Sequence, residues 1–222
     1  MEPALWSSTG AGSIFSTIRV AFFPLFPTFS FFCYIFAQKY VKNNGKNNLR
    51  PYRQVKKIGI ISDTHAFWDE KYLHYFEPCD EIWHAGDIGS TEVADRLAAF
   101  RTLRAVCGNC DGGDLRLMFP ERLRFKCEDV DVLMKHIGGY PGNYDASVRG
   151  QIYASPPQLF ISGHSHILKV KYDKTLNLLH INPGAAGLQG WHKERTLIRL
   201  TVEGNKFADC EVITIGENKN IL

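Results

Sequence analysis

Short apolar runs alternate with helical patterns through the first part of the chain's body, and this order restricts the fold more than any other feature. The runs 57–62, 81–84 and 103–107 predict buried strands. Between them, residues 69–76 predict one helix, and Ser90 predicts the N-cap of a second. A strand–helix–strand–helix–strand order predicts an α/β layer with right-handed crossovers.

After Pro120, paired strands replace this alternation. We predict one helix, one single strand and three strand pairs, over residues 144–154, 158–162, 122–127 with 130–136, 168–172 with 176–181, and 196–202 with 210–215. Two packed β-sheets flanked by helices accommodate this order of elements. The sequence therefore predicts an α/β (α+β) fold, and it contains no visible internal repeat.

The predicted strands share one property, which is that polar residues able to bind a metal follow them directly. There are seven of these residues: Asp63, His65, Asp87, Asn109, His136, His164 and His166. Open α/β sheets bind ligands at the carboxyl ends of their strands, where the loops converge. Aspartate, asparagine and neutral imidazole suit borderline divalent cations, and one carboxylate can bridge two of them. The series predicts a two-metal site that hydrolyses a phosphoester.

Each of these residues has a simpler explanation when it is taken alone. An aspartate after a strand often caps a helix, an asparagine often occupies a turn, and a single histidine is often part of a core. His164 and His166 give the sharpest local evidence, because two imidazoles in one glycine-started loop seldom have only a packing role. The simpler explanations would also have to hold in every segment at once, so a shared metal centre is favoured.

Other polar residues have structural roles in our interpretation. His84 lies on a predicted strand, so we expect it to point into the sheet layers. Asn182 begins a turn after a strand, and we expect it only to shape that turn. For four further side chains, contact with a substrate phosphate is the alternative to a position on the solvated surface, which we expect: Arg116, Arg149, His180 and His192.

Charge and cysteine content restrict the partners and the compartment. The net charge of the 222 residues is +3, but residues 1–54 carry +5, so −2 remains for the body. The body therefore lacks an electrostatic footprint for nucleic acid, and a small phosphoester substrate is favoured. The six cysteines are scattered, which favours a reducing compartment. Cys107 and Cys110 form a C-x-x-C pair, for which a redox pair, half of a zinc site and simple packing of Cys107 at a strand end are the alternatives.

Residues 1–55 are predicted to form an extension outside the main domain, which is predicted over 56–222. Residues 20–37 are nearly all apolar, include Pro24 and Pro27, and precede a basic stretch. The near absence of a charged n-region argues against a signal peptide. A membrane anchor with a cytoplasmic domain, and a segment absent from the working protein because of a wrongly chosen start, both stay open. A cytoplasmic location is the first expectation.

The motifs D-x-H, GD, GN-x-D, H and GH-x-H occur in this order, and with them the chain resembles the calcineurin-like metallophosphoesterases, in particular their small bacterial and archaeal phosphodiesterases. The resemblance covers residues 56–215 and implies a four-layer αββα sandwich. It also implies a dinuclear centre in which Asp87 bridges the two ions. The first ion would be held by Asp63, His65 and His166, and the second by Asn109, His136 and His164.

The resemblance implies a metal-dependent phosphodiesterase that uses two divalent ions, Mn²⁺ first, with Fe, Zn, Ni or Mg as alternatives. A hydroxide shared by the two ions would attack the phosphorus in line. The implied catalytic residues are Asp87, Asn109, Cys110 and Asp111, the last of them orienting a ligand or a catalytic group. Much of the superfamily has histidine where Cys110 stands, so we expect slow hydrolysis that favours activated diesters.

A non-catalytic scaffold is the alternative function, because a eukaryotic coat subunit shares this fold and acts by binding partners. The intact set of ligands argues against it. Assembly into a homo-oligomer is possible in either case.

Overall fold

The structure is a computed structural model that describes residues 40–42, 49–51 and 55–221. Its contacts divide the chain into two units, Met1–Tyr52 and Arg53–Leu222. In the first unit, strand β1 (Tyr40–Lys42) pairs antiparallel with β2 (Leu49–Pro51). The apolar run 20–37, and with it the predicted anchor, lies outside the described residues. Among the helices that are described, none has the length and apolar character needed to span a bilayer.

Within residues 55–221, the second unit contains twelve strands and four α-helices, followed by a 3-10 helix at Lys219–Ile221. The strands are β3 (Val55–Ile61), β4 (Glu81–His84), β5 (Thr102–Ala105), β6 (Arg122–Cys127), β7 (Val130–Lys135), β8 (Gly139–Tyr140), β9 (Asn143–Tyr144), β10 (Leu159–Ile161), β11 (Lys169–Asp173), β12 (Leu178–Asn182), β13 (Glu194–Glu203) and β14 (Lys206–Glu217). The helices are α1 (Lys71–Phe76), α2 (Thr91–Phe100), α3 (Gly113–Met118) and α4 (Ala146–Ala154).

Ten of these strands form two five-stranded mixed sheets. Sheet 1 has the order β14-β13-β3-β4-β5, and its strands β3, β4 and β5 run parallel. Sheet 2 has the order β11-β12-β10-β7-β6, and its strands β7, β10 and β12 run parallel. The remaining pair, β8 and β9, is a two-residue hairpin. Each sheet thus contains three parallel strands, and the loops with the candidate metal ligands follow the carboxyl ends of these strands.

Successive side chains of a strand point to opposite faces of its sheet. The core therefore consists of three apolar clusters, one between the two sheets and one on the outer face of each sheet. In β3, Ile58 and Ile60 pack between the two sheets, whereas Ile61 faces the helices. In β7, Val132 and Met134 pack between the sheets, whereas Leu133 faces α4. Helices α1, α2 and α3 cover the outer face of sheet 1, and α4 covers that of sheet 2. The predicted four-layer αββα sandwich is therefore confirmed.

The element boundaries differ from the prediction in a few places, each for a local reason. The helix predicted from residue 69 begins at Lys71, because the Asp69 carboxylate accepts a hydrogen bond from the Lys71 N–H. The helix predicted from residue 144 begins at Ala146, because Asp145 is its N-cap. Helix α3 was not predicted, since the glycines before it favour a turn. The β8–β9 hairpin was missed because its strands are too short to show a period.

Candidate metal centre

The candidate ligands lie in the loops that follow the parallel strands of both sheets. Five of the seven have a positive φ, between 46° and 68°: Asp63, His65, Asp87, His164 and His166. Residues with a side chain seldom adopt this left-handed conformation, and such strain clusters at functional sites. Backbone hydrogen bonds between the loops hold it in place here, for example from Asp63 N to Gly86 O and from His65 N to Asp87 O, both at 3.0 Å.

Asp63, His65 and His166 form the first group, with one ligand atom of each lying within 4.8 Å of the others. His166 Nε2 is 3.2 Å from Asp63 Oδ1 and 3.3 Å from His65 Nε2. The other carboxylate oxygen, Asp63 Oδ2, accepts the hydroxyl of Ser62 at 2.6 Å and the N–H of His164 at 3.2 Å. These donors fix the carboxylate so that Oδ1 faces the histidines.

Asp87, His136 and His164 form the second group within the same 4.8 Å limit. His136 Nδ1 lies 2.8 Å from the carbonyl oxygen of Ala85, so this nitrogen carries the proton and donates it. The other nitrogen, Nε2, then points toward Asp87 Oδ2 at 3.2 Å. A histidine that donates the N–H of one ring nitrogen to a carbonyl oxygen keeps the other nitrogen unprotonated, and this is the tautomer that binds a metal ion.

Asp87 lies between the two groups. Its Oδ2 is 3.2 Å from His136 Nε2 and 3.8 Å from His65 Nε2, and its Oδ1 accepts the N–H of Cys110 at 2.8 Å. Burial opposes the ionisation of Asp87, but the contact with the His136 imidazole and the Cys110 N–H hold its pKa well below the usual range. Asp87 is thus an anion at neutral pH, placed where it reaches both groups.

The histidines respond to this environment in different ways. Burial lowers the pKa of His65. Burial also acts against a charge on His136, but the contact with Asp87 and the negative charges of Asp87 and Asp63 raise its pKa. The carboxylates of Asp63 and Asp87 thus favour a positive charge next to the His136 ring, and a bound cation would supply that charge.

Two buried atoms test whether the residues fit a metal ion. Asp63 Oδ1 and His136 Nε2 have no hydrogen-bond partner among residues 55–221. An unpaired buried polar atom costs about 1–3 kcal/mol, so native structures rarely retain one without a function. Both atoms belong to metal-ligand side chains and lie 3.9 Å apart. The site therefore fits a divalent cation.

The segment Asn109–Cys110–Asp111 lies beside Asp87. Asn109 and Cys110 are exposed, and the Asn109 amide contacts Cys110 Sγ at 3.3 Å. Cys110 Sγ also lies within 4.8 Å of ligand atoms of His65 and Asp87. Burial and the neighbouring Asp87 raise the pKa of Cys110 to about 11. Its thiol is neutral at neutral pH, and both Cys107 and Cys110 are free thiols.

Asp111 is buried and contacts backbone rather than ligand side chains. Its carboxylate accepts the N–H groups of Gly108 at 2.8 Å, Gly89 at 2.8 Å and Ile88 at 3.2 Å. Gly108 precedes Asn109, and Ile88 follows Asp87. Asp111 therefore joins the loop that carries Asp87 to the loop that carries Asn109.

Two more polar residues behave as expected from the sequence. His84 is fully buried, with Nδ1 accepting the Gly86 N–H at 3.2 Å and Nε2 lying 3.0 Å from Thr64 Oγ1. Burial lowers the pKa of His84 to about 4, so it is a neutral structural histidine. Asn182 donates to the carbonyl of Gly163, and thus shapes the loop of His164 and His166.

The surface positions expected for His180 and His192 are wrong. His180 is 1% exposed, because it lies on β12 with its ring against Phe160. His192 is half-buried, and its ring packs against His166 with 5.3 Å between the centroids. The apolar alternation of β12 could have revealed the first. Nothing in the sequence near His192 indicates its contact with His166.

Two sheets that bring aspartates and histidines together at the carboxyl ends of their strands define a metal-binding α/β protein. The chain belongs to the calcineurin-like phosphoesterase superfamily, because residues 57–205 match the domain of that family. Membership confirms the predicted resemblance and places the chain among the metal-dependent phosphoesterases, which are hydrolases.

A relative named "Probable metallophosphoesterase" from Methanothermobacter thermautotrophicus is 27% identical over 164 residues, which are 72% of this chain and 92% of the relative. Among solved structures, an archaeal phosphodiesterase has a TM-score of 0.58 and 23% identity, covering 72% of this chain and 99% of its own. Vacuolar protein sorting 29 from Cryptosporidium parvum also has a TM-score of 0.58, with 16% identity, covering 72% and 96%. The two structures share the fold of this chain.

Proposed function

We propose that the chain is a phosphodiesterase with a dinuclear metal centre bridged by Asp87. One observation carries the proposal: Asp87 Oδ2 lies 3.2 Å from His136 Nε2 and 3.8 Å from His65 Nε2, between the two groups of ligands. A carboxylate shared in this way is what a two-metal site requires. The first ion is assigned to Asp63, His65 and His166, and the second to Asn109, His136 and His164.

Two divalent ions, when bound, would activate a water molecule and balance the negative charge of the phosphoryl oxygens. The chain's own residues position the ligands. Ser62 and the His164 N–H orient the Asp63 carboxylate, and the Ala85 carbonyl fixes the tautomer of His136. Asp111 holds two ligand loops at a fixed distance through their backbone N–H groups. Asp111 is thus assigned a positioning role.

The preference for diesters rests on Cys110. A thiol has an ordinary pKa of about 8.5, and it is a poor replacement at neutral pH for a histidine that protonates a leaving oxygen. Help from a general acid is typically worth about 10²–10⁴ in rate, and its loss matters least for a leaving group that needs no proton. Aryl phosphodiesters meet this condition, so we propose them as the best substrates.

We propose Mn²⁺ as the first candidate for the metal, because nitrogen and oxygen ligands of this kind suit Mn, Fe, Zn and Ni, with Mg as a further alternative. We also propose a cytoplasmic location. Five free thiols among residues 55–221 support it, since cysteines persist reduced in that compartment: Cys79, Cys107, Cys110, Cys127 and Cys210.

The test is elemental analysis of the purified full-length protein together with a substrate panel. The protein is stripped with chelator, reloaded with Mn, Fe, Zn, Ni or Mg, and assayed on bis(4-nitrophenyl) phosphate and 4-nitrophenyl phosphate. We expect about two equivalents of metal and faster turnover of the diester. A single equivalent at saturation would contradict the dinuclear centre, and faster turnover of the monoester would contradict the diester preference.

A binding module without turnover is the second candidate. Four apolar side chains that follow His166 are 38–61% exposed, on or next to the edge strand β11: Ile167, Leu168, Val170 and Tyr172. An exposed sheet edge of this kind is a template for a partner. Absence of turnover with every metal and every diester of the panel would favour this candidate over the phosphodiesterase.

A further inference from the structure

Two of the cavities that border the candidate metal centre share Ile137. The first has a volume of about 380 Å³ and includes His164, and the second has about 280 Å³ and includes Asn109 and His136. Ile137 and Asp145 belong to the walls of both. A phosphodiester carries two alcohol arms on one phosphorus. A centre that lies between two cavities has room for both arms, whereas a monoester needs only one.

The first cavity contains two cations that have no anionic partner. Arg149 and Lys169 line it, and neither forms an ion pair within residues 55–221. The single carboxylate in its wall is that of Asp145, which already accepts the N–H of Ser147 as a helix cap. Lys169 Nζ lies 3.5 Å from the centroid of the Tyr140 ring. The cavity thus combines a net positive charge with an aromatic surface.

A buried histidine adds a polar atom to the same wall. His180 lines the first cavity and is 1% exposed. Its Nε2 lies 3.0 Å from Ser162 Oγ, whereas its Nδ1 is buried and lacks a hydrogen-bond partner in the described part of the chain. An unpaired nitrogen at this depth costs free energy unless a ligand or water satisfies it.

The second cavity is balanced in charge. Arg116 and Lys135 line it together with Glu121 and Asp145. The Arg116 guanidinium is engaged, because it donates to the carbonyl of Asp111 at 2.7 Å and pairs with Glu121 at 3.2 Å. No excess positive charge is left in this cavity to attract an anion.

We propose that the first cavity binds the alcohol arm of a phosphodiester that carries a second anionic group, a carboxylate or a phosphate, while the second cavity takes an uncharged arm. An unpaired guanidinium and an unpaired ammonium gain charge-assisted hydrogen bonds from such a group. The inference rests on the proposed phosphodiesterase function, and it adds the class of substrate and two residues that select it, Arg149 and Lys169.

The test uses three diesters with the same leaving group: 4-nitrophenyl phenyl phosphate and its two analogues with a carboxylate or a phosphate on the phenyl ring. We expect kcat/KM of the wild-type protein to be about tenfold higher for an anionic analogue, which is the lower end for a hydrogen bond to a charged group. The double variant Arg149→Gln/Lys169→Gln should lose this preference, so that its kcat/KM values for the anionic analogues and the uncharged diester become equal. Comparison of the two analogues identifies the anion.

The matched control is Arg122→Gln/Lys126→Gln, which removes the same charge from the edge strand β6, where neither residue lines the first or the second cavity. This control should keep the tenfold preference. If the wild-type protein shows no preference, or if the Arg149/Lys169 double variant retains it, the assignment of the first cavity is overturned while the phosphodiesterase function stands.

A binding measurement separates the cavity from the reaction. Saturation-transfer NMR measures the affinity for phenylphosphonate of the full-length wild-type protein and of the Arg149/Lys169 double variant. Both proteins carry their metals, so that binding of the phosphonate to the metals contributes equally to the two affinities. We expect an affinity about tenfold lower in the variant. Equal affinities overturn the assignment. If no diester is hydrolysed and the affinities still differ, the proposed function fails while the anion cavity stands.

Discussion

The side-chain amide of Asn182 donates to the carbonyl oxygen of Gly163 at 2.8 Å and to Ser165 Oγ at 3.1 Å. Its own carbonyl oxygen accepts the N–H of Gly184 at 3.0 Å. The turn after β12 is thereby joined to the loop that presents His164 and His166. Since both histidines have a positive φ, this loop depends on contacts outside itself to keep its conformation.

Replacement of Asn182 with alanine should therefore weaken metal binding without removing a ligand. We expect an affinity about 10–100-fold lower, as for other residues that orient metal ligands. The buried Gly163 carbonyl also loses a donor, so the free energy of unfolding should fall by about 1–3 kcal/mol. Metal titration calorimetry and urea unfolding measure the two effects. Asn205→Ala, at the exposed β13–β14 turn, is the control; unchanged metal affinity in Asn182→Ala would refute the positioning role.

Replacement of Asp87 with asparagine should abolish turnover and metal retention together, because an amide bridges two cations poorly and lowers the negative charge between the two groups. Elemental analysis and the bis(4-nitrophenyl) phosphate assay check this on the same sample. Asp95→Asn on the exposed face of α2 is the matched control and should retain both properties. Full activity of Asp87→Asn would end the proposal of a bridging carboxylate.

Replacement of Gly108 with alanine should displace Asp87. A Cβ at this position would lie 2.0 Å from Asp87 Oδ1 and 2.3 Å from Asp87 N, and the second of these atoms is backbone. We expect loss of metal and a decrease in turnover of at least about a hundredfold, since small displacements of a catalytic group have effects of this size.

Gly150→Ala is the control for this substitution, because a Cβ there meets nothing within 4 Å and the residue lies in α4. It should keep full activity and raise the free energy of unfolding by about 0.4–1 kcal/mol. A Gly108→Ala protein that binds metal normally would show that the Asp87 loop tolerates displacement.

Replacement of Cys110 with serine should change the rate of diester hydrolysis by less than about threefold, because a neutral thiol supplies neither charge nor an efficient proton. Cys110 Sγ lies within 4.8 Å of ligand atoms of His65 and Asp87, so its replacement would lower the rate measurably if the thiol took part in the reaction. Steady-state kinetics with bis(4-nitrophenyl) phosphate give the answer. A hundredfold loss would mean that the thiol takes part in the reaction.

The stability of the sandwich should depend on pH through Glu81. This carboxylate pairs with Lys56 at 2.9 Å and Arg104 at 2.8 Å and accepts the Trp83 N–H at 3.0 Å. Burial opposes its ionisation, but these partners lower the pKa of Glu81 to about 2. A depressed carboxyl pKa stabilises the fold above the unfolded value, about 4.5, and this contribution is lost as the pH falls toward 2.

We therefore expect Glu81→Gln to be less stable than the wild-type protein at pH 7, with the difference shrinking as the pH falls from about 5 to about 3. The side chains of Lys56 and Arg104 are 31% and 36% exposed, so solvent screens the pairs. This limits the expected difference to about 1–2 kcal/mol. Urea unfolding across this range measures it, with Glu203→Gln as an exposed control. A deficit independent of pH would show that packing, and not ionisation, is responsible.

The positions of the strands and of the loops that carry the seven candidate ligands could be predicted because both depend on short-range patterns. Short apolar runs mark β3, β4, β7 and β10, and a polar residue after a buried strand marks a loop at the sheet edge. The sequence also indicated that His84 is structural, since a residue on a strand points into a layer. The superfamily motifs then ordered the ligands, and the match of residues 57–205 confirmed the family.

The remaining features depend on contacts between distant segments. The left-handed backbone at Asp63 and His65 depends on hydrogen bonds between loops, and aspartate or histidine in a sequence does not reveal φ. The packing of His192 on His166 and the fully buried position of His180 likewise arise from tertiary structure. Helix α3 was missed because two glycines precede or begin it, and glycine usually indicates a turn.

The ligand loops are divided between the two sheets, with Asp63, His65, Asp87 and Asn109 after strands of sheet 1 and His136, His164 and His166 after strands of sheet 2. A cation coordinated by residues from both sheets would hold the two sheets together. Its binding free energy would then add to the cohesion of the whole domain, so heat resistance would rise with free metal concentration by mass action. The concentration of free metal would thus determine the lifetime of the folded protein as well as its turnover rate.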